Sequence, residues 1–132
     1  MAFSPLTRGF LTGAVTSVDQ LVEGDIRRAM PRFQPPHLEK NLQLLAPLKD
    51  IAQSYACSLS QLCLAWCLAK GEEILPIPGT RSIEHLQDNM GGLQVNLSAA
   101  TVAELDRVVN ATTVSGARYP SAQQTEIDTE EF

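Results

Sequence analysis

The sequence predicts an α/β fold in which two short strands accompany four to five helices. The first observation is a short apolar run at residues 74–77, followed by the turn Pro78-Gly79-Thr80 and an amphipathic helix. The second is helical spacing of apolar residues over 37–55. The third is the capping-box pattern of Ser58 and Gln61, which predicts another helix over 59–70.

The first half of the chain begins with a predicted strand at residues 1–6, in which Pro5 removes one ladder donor. Residues 14–36 have no clear periodicity, apart from one expected helical turn at 19–22. Pro35-Pro36 is expected to precede the helix of 37–55. Pro47 lies inside that run, where a proline costs about 3 kcal/mol, so we expect a kink or a break into two pieces.

The second half contains three further helices. Gly71 is expected to end the helix of 59–70, whose Trp66 we assign to the core. The helix after Arg81 has Ile83, Leu86 and Met90 on one face and ends at Gly91-Gly92. Ser98 is expected to cap a final helix at 99–110, with three residues facing inward: Val102, Leu105 and Val109.

Composition indicates a globular chain and excludes several classes of function. Hydrophobic residues make up 44% and charged residues 19%. A net charge of −5 and a pI near 4.9 argue against a nucleic-acid partner. No apolar run approaches the roughly 20 residues of a membrane span, and the N-terminus does not resemble a signal peptide. We therefore expect a cytoplasmic protein without a membrane partner.

The three cysteines are Cys57, Cys63 and Cys67, and an odd number argues against a closed disulfide framework. Cys63 and Cys67 are four residues apart and share a helix face, which is compatible with metal binding. No other ligands are placed to complete a metal site, so we interpret the cysteines as buried reduced thiols.

The turn after the second strand has the geometry of a phosphate site. A helix that starts just after a strand points backbone N–H groups at an anion. Gly79 allows close approach, Thr80 offers a hydroxyl, and Arg81 adds a planar cationic fork. The alternative is an ordinary turn with a solvent-exposed arginine. A second arginine group (Arg27, Arg28 and Arg32) is open to the same two interpretations, and a solvated loop is favoured there.

Four segments together resemble the C-terminal part of the aldo-keto reductases. They are Ala2-Phe-Ser-Pro-Leu-Thr-Arg-Gly-Phe-Leu-Thr-Gly13, Leu62-Cys-Leu-Ala-Trp66, Ile77-Pro-Gly-Thr-Arg-Ser82 with Asp88-Asn89, and Gly116-Ala-Arg-Tyr-Pro120. The segments occur in the order of the family's last two β–α units and tail. The resemblance covers nearly the whole chain and includes a tail typical of bacterial and fungal members.

This resemblance implies a fragment of a (β/α)₈ TIM barrel, a fold that usually needs about 250 residues. Residues 1–115 would supply its last two parallel strands and their helices, and 116–132 a tail that we expect to be frayed. The acidic residues of that tail are Glu126, Asp128, Glu130 and Glu131. The family's catalytic Asp, Tyr, Lys and His lie before the start of this sequence. No residue here is therefore assigned as catalytic, and none of its four Tyr and His residues stands in a matching motif: Tyr55, Tyr119, His37 and His85.

The resemblance also implies NADP(H) as cofactor. Phe3 would stack on the nicotinamide ring, although the residue pattern alone favours a core position for it. Ser4, Leu6 and Arg8 would line the pyrophosphate. Thr7 replaces a small residue of the family, and because β-branched residues resist positive φ, we expect the loop to run differently there. Gly9 and Gly13 would bracket a flap over the cofactor, and the loop at 31–33 would be an extended crossing.

The adenosine end of NADP(H) would lie at the second strand. The resemblance places the 2′-phosphate at Thr80 and Arg81, beside Gly79. It places the adenine at Asp88 and Asn89. His85 stands where many members have an arginine, and a neutral imidazole pairs less strongly with phosphate.

Two hypotheses of function follow. The chain is either the cofactor-binding C-terminal third of an NADPH-dependent reductase of small carbonyl compounds, or a catalytically inactive, truncated or protein-interaction fragment. An initiator methionine inside a predicted strand favours truncation. Two strands cannot close a barrel, so we also expect self-association through unpaired strand edges.

Overall fold

The computed structural model describes residues 1–124 of the 132-residue chain. The acidic tail residues Glu126, Asp128, Glu130 and Glu131 lie outside this part, so the expectation of fraying there stays a prediction, as does the domain boundary at 115. The described part contains two strands and six α-helices: β1 (Ala2–Phe3), α1 (His37–Leu42), α2 (Leu45–Ser54), α3 (Leu59–Leu68), β2 (Pro76–Ile77), α4 (Ile83–Gly91), α5 (Ala99–Val108) and the short α6 (Ser121–Gln124).

The two strands form a parallel sheet, which confirms the predicted α/β class. Ala2 pairs with Pro76 and Phe3 with Ile77. Both strands are shorter than predicted. β1 ends after Phe3 because Ser4 adopts a φ of +51°, outside the β region. β2 begins at Pro76 because the Ile74 N–H bonds to Gly71 in a turn instead of joining the ladder.

The break predicted in the helical run of 37–55 is present as the boundary between α1 and α2. The N–H groups of Gln43 and Leu44 bond three residues back, which tightens the chain and ends α1. Pro47 is then the third residue of α2. Its missing N–H is one of the first-turn donors that have no partner within a helix, so the proline does not disrupt α2.

Two serine caps begin helices as predicted. Ser58 Oγ accepts the Gln61 N–H of α3 at 3.1 Å, and the Gln61 side chain accepts the Ser58 N–H at 3.2 Å. Ser98 Oγ accepts the Thr101 N–H of α5 at 3.1 Å. The helices end two residues earlier than expected, at Leu68 and Val108. After α3 the N–H groups of Lys70 and Gly71 bond to the carbonyls three residues back, and this tighter turn leads the chain out of the helix.

The core lies between α2, α3, α5 and the loop that contains residues 10–33. Leu48, Leu62 and Leu105 are its most completely buried large side chains. Of the other residues expected to face inward from the last helix, Val102 and Val109 are half-buried. Trp66 is also only half-buried, because its indole N–H donates to Asp106 at 2.9 Å at the edge of the core.

The apolar face of α4 is not covered by any described part of the chain. Ile83 is 77%, Leu86 50% and Met90 56% exposed. The helix packs on α3 through its other side, where Gly92 lies against Leu64 and the backbone of Gln61. Three other large apolar residues outside this helix are also exposed. We call all six residues together the open apolar face: Leu75, Ile77, Ile83, Leu86, Met90 and Leu93.

The predicted extended crossing at 31–33 is wrong, since Pro31–Phe33 forms a 3-10 turn. Phe33 drives this conformation, because its ring is buried edge-on against Phe10 with 6.3 Å between centroids. Buried Asn41 ties the same region to the tail. Its amide donates to the carbonyl of Ser115 at 2.9 Å and accepts the Ser115 N–H at 2.7 Å.

Among the cysteines, Cys63 is buried and burial raises the pKa of its thiol to about 12. Cys57 and Cys67 are half-buried, so the expectation of burial is right in full only for Cys63. Within residues 1–124 there is no group of three His, Cys, Asp or Glu side chains with metal-site geometry. No helix in that part is long and apolar enough to cross a bilayer.

Candidate functional site

A large cleft of about 760 Å³ opens at the carboxyl ends of both strands. The chain that follows β1 forms one wall, and the turn after β2 with α4 forms the other. The first residues of α3 close the base. Parallel α/β sheets bind ligands at the carboxyl ends of their strands, so the position alone makes this cleft the candidate site.

Nine of the ten predicted site residues line this cleft: Phe3, Ser4, Leu6, Arg8, Gly79, Thr80, His85, Asp88 and Asn89. Arg81 is the exception. It is exposed and lies next to Thr80, outside the lining, at the start of α4. The segments that meet here are separated by about seventy residues in the sequence. The geometry is therefore that of one site, while the binding role of each residue stays a prediction.

Phe3 is not a core residue. It is 53% exposed at the end of β1, because no described part of the chain covers that face of the sheet. The Arg8 guanidinium lies 5.9 Å and that of Arg118 5.3 Å from the centre of its ring. The Phe3 ring is consequently an aromatic surface at the mouth of the cleft with cations beside it.

The loop after β1 contains three non-glycine residues with left-handed backbone: Ser4 at φ +51°, Thr7 at +47° and Arg8 at +54°. The expectation that the β-branched Thr7 avoids positive φ is therefore wrong. Such residues cost about 1–3 kcal/mol each, and they persist where surrounding contacts determine the conformation. One such contact is the Arg27 guanidinium, which donates to the Arg8 carbonyl at 3.0 Å.

Arg27 is itself fixed by Asp25, with 2.7 Å between guanidinium nitrogen and carboxylate oxygen. Hydrogen bonds from Arg27 lower the pKa of Asp25 to about 2. Arg28 donates to the Leu21 carbonyl at 2.6 Å, and Arg32 to the Gly116 carbonyl at 3.1 Å. Arg27 and Arg28 thus hold backbone and do not line the large cleft, which argues against a phosphate contact for them.

The turn after β2 is shaped by its own hydroxyl groups. Thr80 Oγ1 accepts the Ser82 N–H at 3.1 Å and donates to the Ser82 carbonyl at 3.2 Å. Ser82 Oγ caps α4 by accepting the His85 N–H at 3.3 Å. Space for a Cβ at Gly79 is open, with no atom within 4 Å, so the backbone is accessible from the cleft. The remaining first-turn N–H groups of α4 carry partial positive charge.

Asp88 and Asn89 differ in their surroundings although they are adjacent. Both Asp88 carboxylate oxygens accept hydrogen bonds at 3.0 Å, one from Ser58 Oγ and one from Gln61 Nε2. Asn89 is only 8% exposed, lines the cleft, and its side-chain amide has no hydrogen-bond partner among residues 1–124. A buried amide without a partner is costly, so Asn89 marks a place where a ligand or water completes the hydrogen bonds.

Sequence reasoning missed the contribution of α3 to the cleft. Ser58, Leu59 and Ser60 line its base, and Thr12 and Ala14 line the wall after β1. The capping box at Ser58 located the start of α3 in the sequence. It gave no sign that this helix end lies against Asp88, because that contact spans 30 residues.

Comparison with known proteins agrees with this geometry. Residues 1–110 match the profile of the aldo/keto reductase family. The chain belongs to this family. Its two parallel strands and flanking helices are a fragment of the family's TIM barrel, and the described residues do not close a barrel.

Two curated relatives extend this result. The chain is 48% identical over 120 residues to the aldo-keto reductase yakc (NADP+) of Schizosaccharomyces pombe. The aligned region covers 91% of the chain and 35% of that protein. It is 36% identical over 118 residues to the aldo-keto reductase str7 of Strobilurus tenacellus, covering 89% of the chain and 35% of that protein. The chain therefore spans about a third of the length of these relatives.

Proposed function

We propose that this chain forms the NADP(H)-binding end of an aldo-keto reductase that reduces small carbonyl compounds by hydride transfer. The family assignment makes an oxidoreductase the expected class, and the name of the yeast relative specifies NADP+. The observation that carries the proposal is the Asn89 amide, which is buried inside a cleft of about 760 Å³ and has no hydrogen-bond partner among residues 1–124. That volume lies within the range of roughly 300–1,000 Å³ usual for cofactor sites.

The residues of the cleft fit the adenosine end of the cofactor. The Asn89 amide offers both a donor and an acceptor, which matches the edge of an adenine base. Asp88 already accepts two hydrogen bonds, yet a carboxylate has about four lone-pair sites and retains room for an exocyclic amine. His85 lies on the same side of α4 as Asp88 and Asn89, facing the cleft.

The start of α4 suits the 2′-phosphate. Arg81 and the helix N-terminus both favour an anion there. The Thr80 hydroxyl donates to the Ser82 carbonyl and would exchange that bond for one to the phosphate. Glu84 in the first turn opposes this field, so the Arg81 charge is needed to keep the site positive. Arg81 forms no ion pair with any residue in the described part of the chain, and its side chain is exposed and able to reach a bound phosphate.

The nicotinamide end would lie at β1. NADPH, when bound, supplies the hydride for carbonyl reduction. Phe3 offers an exposed ring for stacking, and Arg8 with Ser4 and Leu6 lines the path between the two ends. The left-handed loop at residues 4–8 brings its backbone to the cleft wall, which suits contact with a pyrophosphate.

The test uses 2′,5′-ADP, a probe for the part of the cofactor site that lies wholly on this chain. Calorimetric titration of the 132-residue protein should show binding, and Asn89→Ala should weaken it by about 5- to 30-fold, because one or two buried hydrogen bonds are lost. Asn96→Ala, at an exposed amide outside the cleft, is the matched control and should change little. Equal effects of the two substitutions in folded proteins would contradict the proposal.

A second candidate function, association with another polypeptide, is supported by the open apolar face. Six large exposed apolar side chains, together with a β2 strand that pairs only with β1 among residues 1–124, are unusual on a monomer surface. We infer that the isolated chain self-associates there. Sedimentation of wild type should show concentration-dependent oligomers, and Leu86→Lys should shift the distribution to monomer. A wild type that stays monomeric at all concentrations would refute this.

A further inference from the structure

Two aromatic rings and two guanidinium groups from distant parts of the sequence meet beside the large cleft. We call them the aromatic–arginine cluster: Phe3 and Arg8 from the start of the chain, Arg118 and Tyr119 from the tail. We propose that the two tail residues are positioning residues for the nicotinamide end of the cofactor site, and that they act by holding the Phe3 ring in one orientation. This inference rests on the proposed function.

Each arginine of the aromatic–arginine cluster interacts with both rings. The Arg118 guanidinium carbon lies 5.3 Å from the centre of the Phe3 ring and 5.7 Å from that of Tyr119. The corresponding distances for Arg8 are 5.9 and 5.5 Å. All four lie within the roughly 6 Å over which an aromatic ring attracts a cation. The four side chains therefore restrain one another, and removal of one weakens the contacts of the others.

The Phe3 side chain is the member that depends most on this restraint. It is 53% exposed, and exposed side chains exchange between rotamers rapidly. Arg118 contacts Phe3 in two ways, because it lies over the ring and its Nη2 donates to the Phe3 carbonyl at 3.2 Å. One side chain thus links the ring to the backbone of its own residue, which restricts the rotamers that the ring can adopt.

The tail that provides this contact is itself fixed to the rest of the fold. The Tyr119 side chain packs against the hydrophobic core. Three residues before Arg118, the backbone N–H and carbonyl of Ser115 both bond to the Asn41 side chain, at 2.7 and 2.9 Å. The tail residues therefore have few alternative positions, and the order of the core extends to the aromatic–arginine cluster.

Neither tail residue lines the large cleft, whereas Phe3 and Arg8 do. Arg118 thus contacts Phe3 without occupying the cleft, and the side of the ring that faces the cleft stays accessible. A nicotinamide on Phe3 would meet a ring that is already oriented, so less of the stacking energy would be lost to side-chain ordering. The tail residues would act through Phe3 and would not themselves touch the cofactor.

The first test measures the orientation of the Phe3 ring in the 132-residue protein without ligand. Three-bond couplings from Cγ to the backbone nitrogen and carbonyl carbon report whether χ1 populates one rotamer or several. We expect one rotamer in the wild type and averaged couplings in Tyr119→Leu, which removes a ring and leaves every charge in place. Tyr119→Phe keeps a ring for both guanidinium groups and should restore the single rotamer. Averaged couplings in the wild type, or a single rotamer in Tyr119→Leu, would overturn the proposal.

The second test compares the binding of NADPH with that of 2′,5′-ADP, which lacks the nicotinamide half. The wild type should bind NADPH more tightly, and Tyr119→Leu should lower the ratio of the two affinities by about 2- to 5-fold, as loss of one cation–π contact implies. The affinity for 2′,5′-ADP should stay within about 2-fold, and Tyr119→Phe should keep the wild-type ratio. Equal losses for both ligands would indicate a purely structural role and contradict the inference, as would a wild type that binds both equally.

Arg118→Gln is a second variant that serves if Tyr119→Leu does not fold. It removes a cation–π contact and a hydrogen bond to Phe3, so the NADPH affinity should fall by about 10-fold and the 2′,5′-ADP affinity by no more than about 2-fold. Arg107→Gln removes the same charge from an exposed position on α5 and should leave both affinities within about 2-fold. A loss of NADPH affinity as large in Arg107→Gln as in Arg118→Gln would point to net charge alone and refute the positioning role.

The two tests also separate this inference from the proposed function. A wild type that does not bind 2′,5′-ADP would refute the cofactor site, and the couplings would still decide whether the tail holds the Phe3 ring. Binding of 2′,5′-ADP together with an NADPH affinity that no tail variant alters would leave the cofactor site standing and overturn the inference.

Discussion

The hydroxyl of Ser58 donates to the carboxylate of Asp88 at 3.0 Å while it caps α3 by accepting the Gln61 N–H at 3.1 Å. One oxygen atom thus begins a helix and ties that helix to α4. Gln61 reinforces the link through its own bond to Asp88. The position of α4 at the large cleft depends on this small network, because the opposite face of α4 has no described neighbour.

The first prediction concerns this network. Ser58→Ala should lower the free energy of unfolding by about 1–2 kcal/mol through the lost cap. It should also weaken 2′,5′-ADP binding, because Asp88 of α4 loses one of the two side-chain hydrogen bonds that tie it to Ser58 and Gln61. Urea unfolding and calorimetry measure the two effects. Ser98→Ala removes an equivalent cap from α5 away from the cleft, so it should reduce stability alone; a matching loss of binding would argue against the role of the Ser58–Asp88 contact.

The second prediction concerns cofactor choice. Arg81→Ala should cost about 10- to 150-fold in NADPH affinity and little in NADH affinity, since one or more charge-assisted hydrogen bonds to the 2′-phosphate would be lost. Fluorescence titration of both cofactors into a reductase containing this chain measures this. Arg107→Ala, an exposed arginine on α5, is the control for net charge. Equal losses for NADPH and NADH would refute the assignment of Arg81 to the 2′-phosphate.

The third prediction concerns turnover. The 132-residue chain alone should not reduce aldehydes with NADPH, because the described lining of its large cleft contains neither tyrosine nor lysine, and its His85 and Asp88 lie at the end proposed for the adenosine. General acid catalysis typically contributes about 10²- to 10⁴-fold. The Tyr55 hydroxyl is committed elsewhere, with Thr101 at 2.8 Å and the Ser98 N–H at 3.1 Å. Measurable NADPH oxidation by protein freed of host reductases would contradict this expectation.

The fourth prediction uses two glycines with left-handed backbone. Gly24 has a φ of +82° and open space around a Cβ, whereas Gly116 has a φ of +87° and a Cβ there would lie 2.9 Å from the His37 ring. Gly24→Ala should cost about 1 kcal/mol from backbone strain alone. Gly116→Ala should cost about 1–3 kcal/mol more, as for other overpacked sites. Thermal unfolding of both variants isolates the packing contribution; equal destabilisation would disprove it.

Local features of this fold were predictable because their causes lie within a few residues. The caps at Ser58 and Ser98 and the break before Pro47 follow from side chains and neighbouring backbone. The left-handed conformation of Thr7 was not predictable, since distant contacts such as Arg27 to Arg8 hold that loop. The exposed state of Ile83 escaped prediction for a related reason: amphipathic spacing defines a face without identifying the element that covers it.

The candidate site also contains some features that the sequence predicted and others that it did not. Gly79, Thr80 and Arg81 were predicted from the strand–turn–helix pattern and the other seven site residues from the family resemblance. Nine of these ten residues meet in one cleft, although no single segment specifies that meeting. The hydrogen bond from Arg32 to the Gly116 carbonyl spans 84 residues, and no local pattern in the sequence indicates it.

The buried amide of Asn41 restricts changes in the length of the chain between α5 and Ser115. It binds both backbone groups of Ser115, three residues before Arg118. One added residue between α5 and Ser115 would have to bulge outward, or else shift the following chain by about 3.8 Å and remove Arg118 from its place over Phe3. The length of the chain between α5 and Ser115 is therefore fixed by these contacts. We expect the fold to tolerate insertions there far less often than insertions at the exposed turn of Gly24.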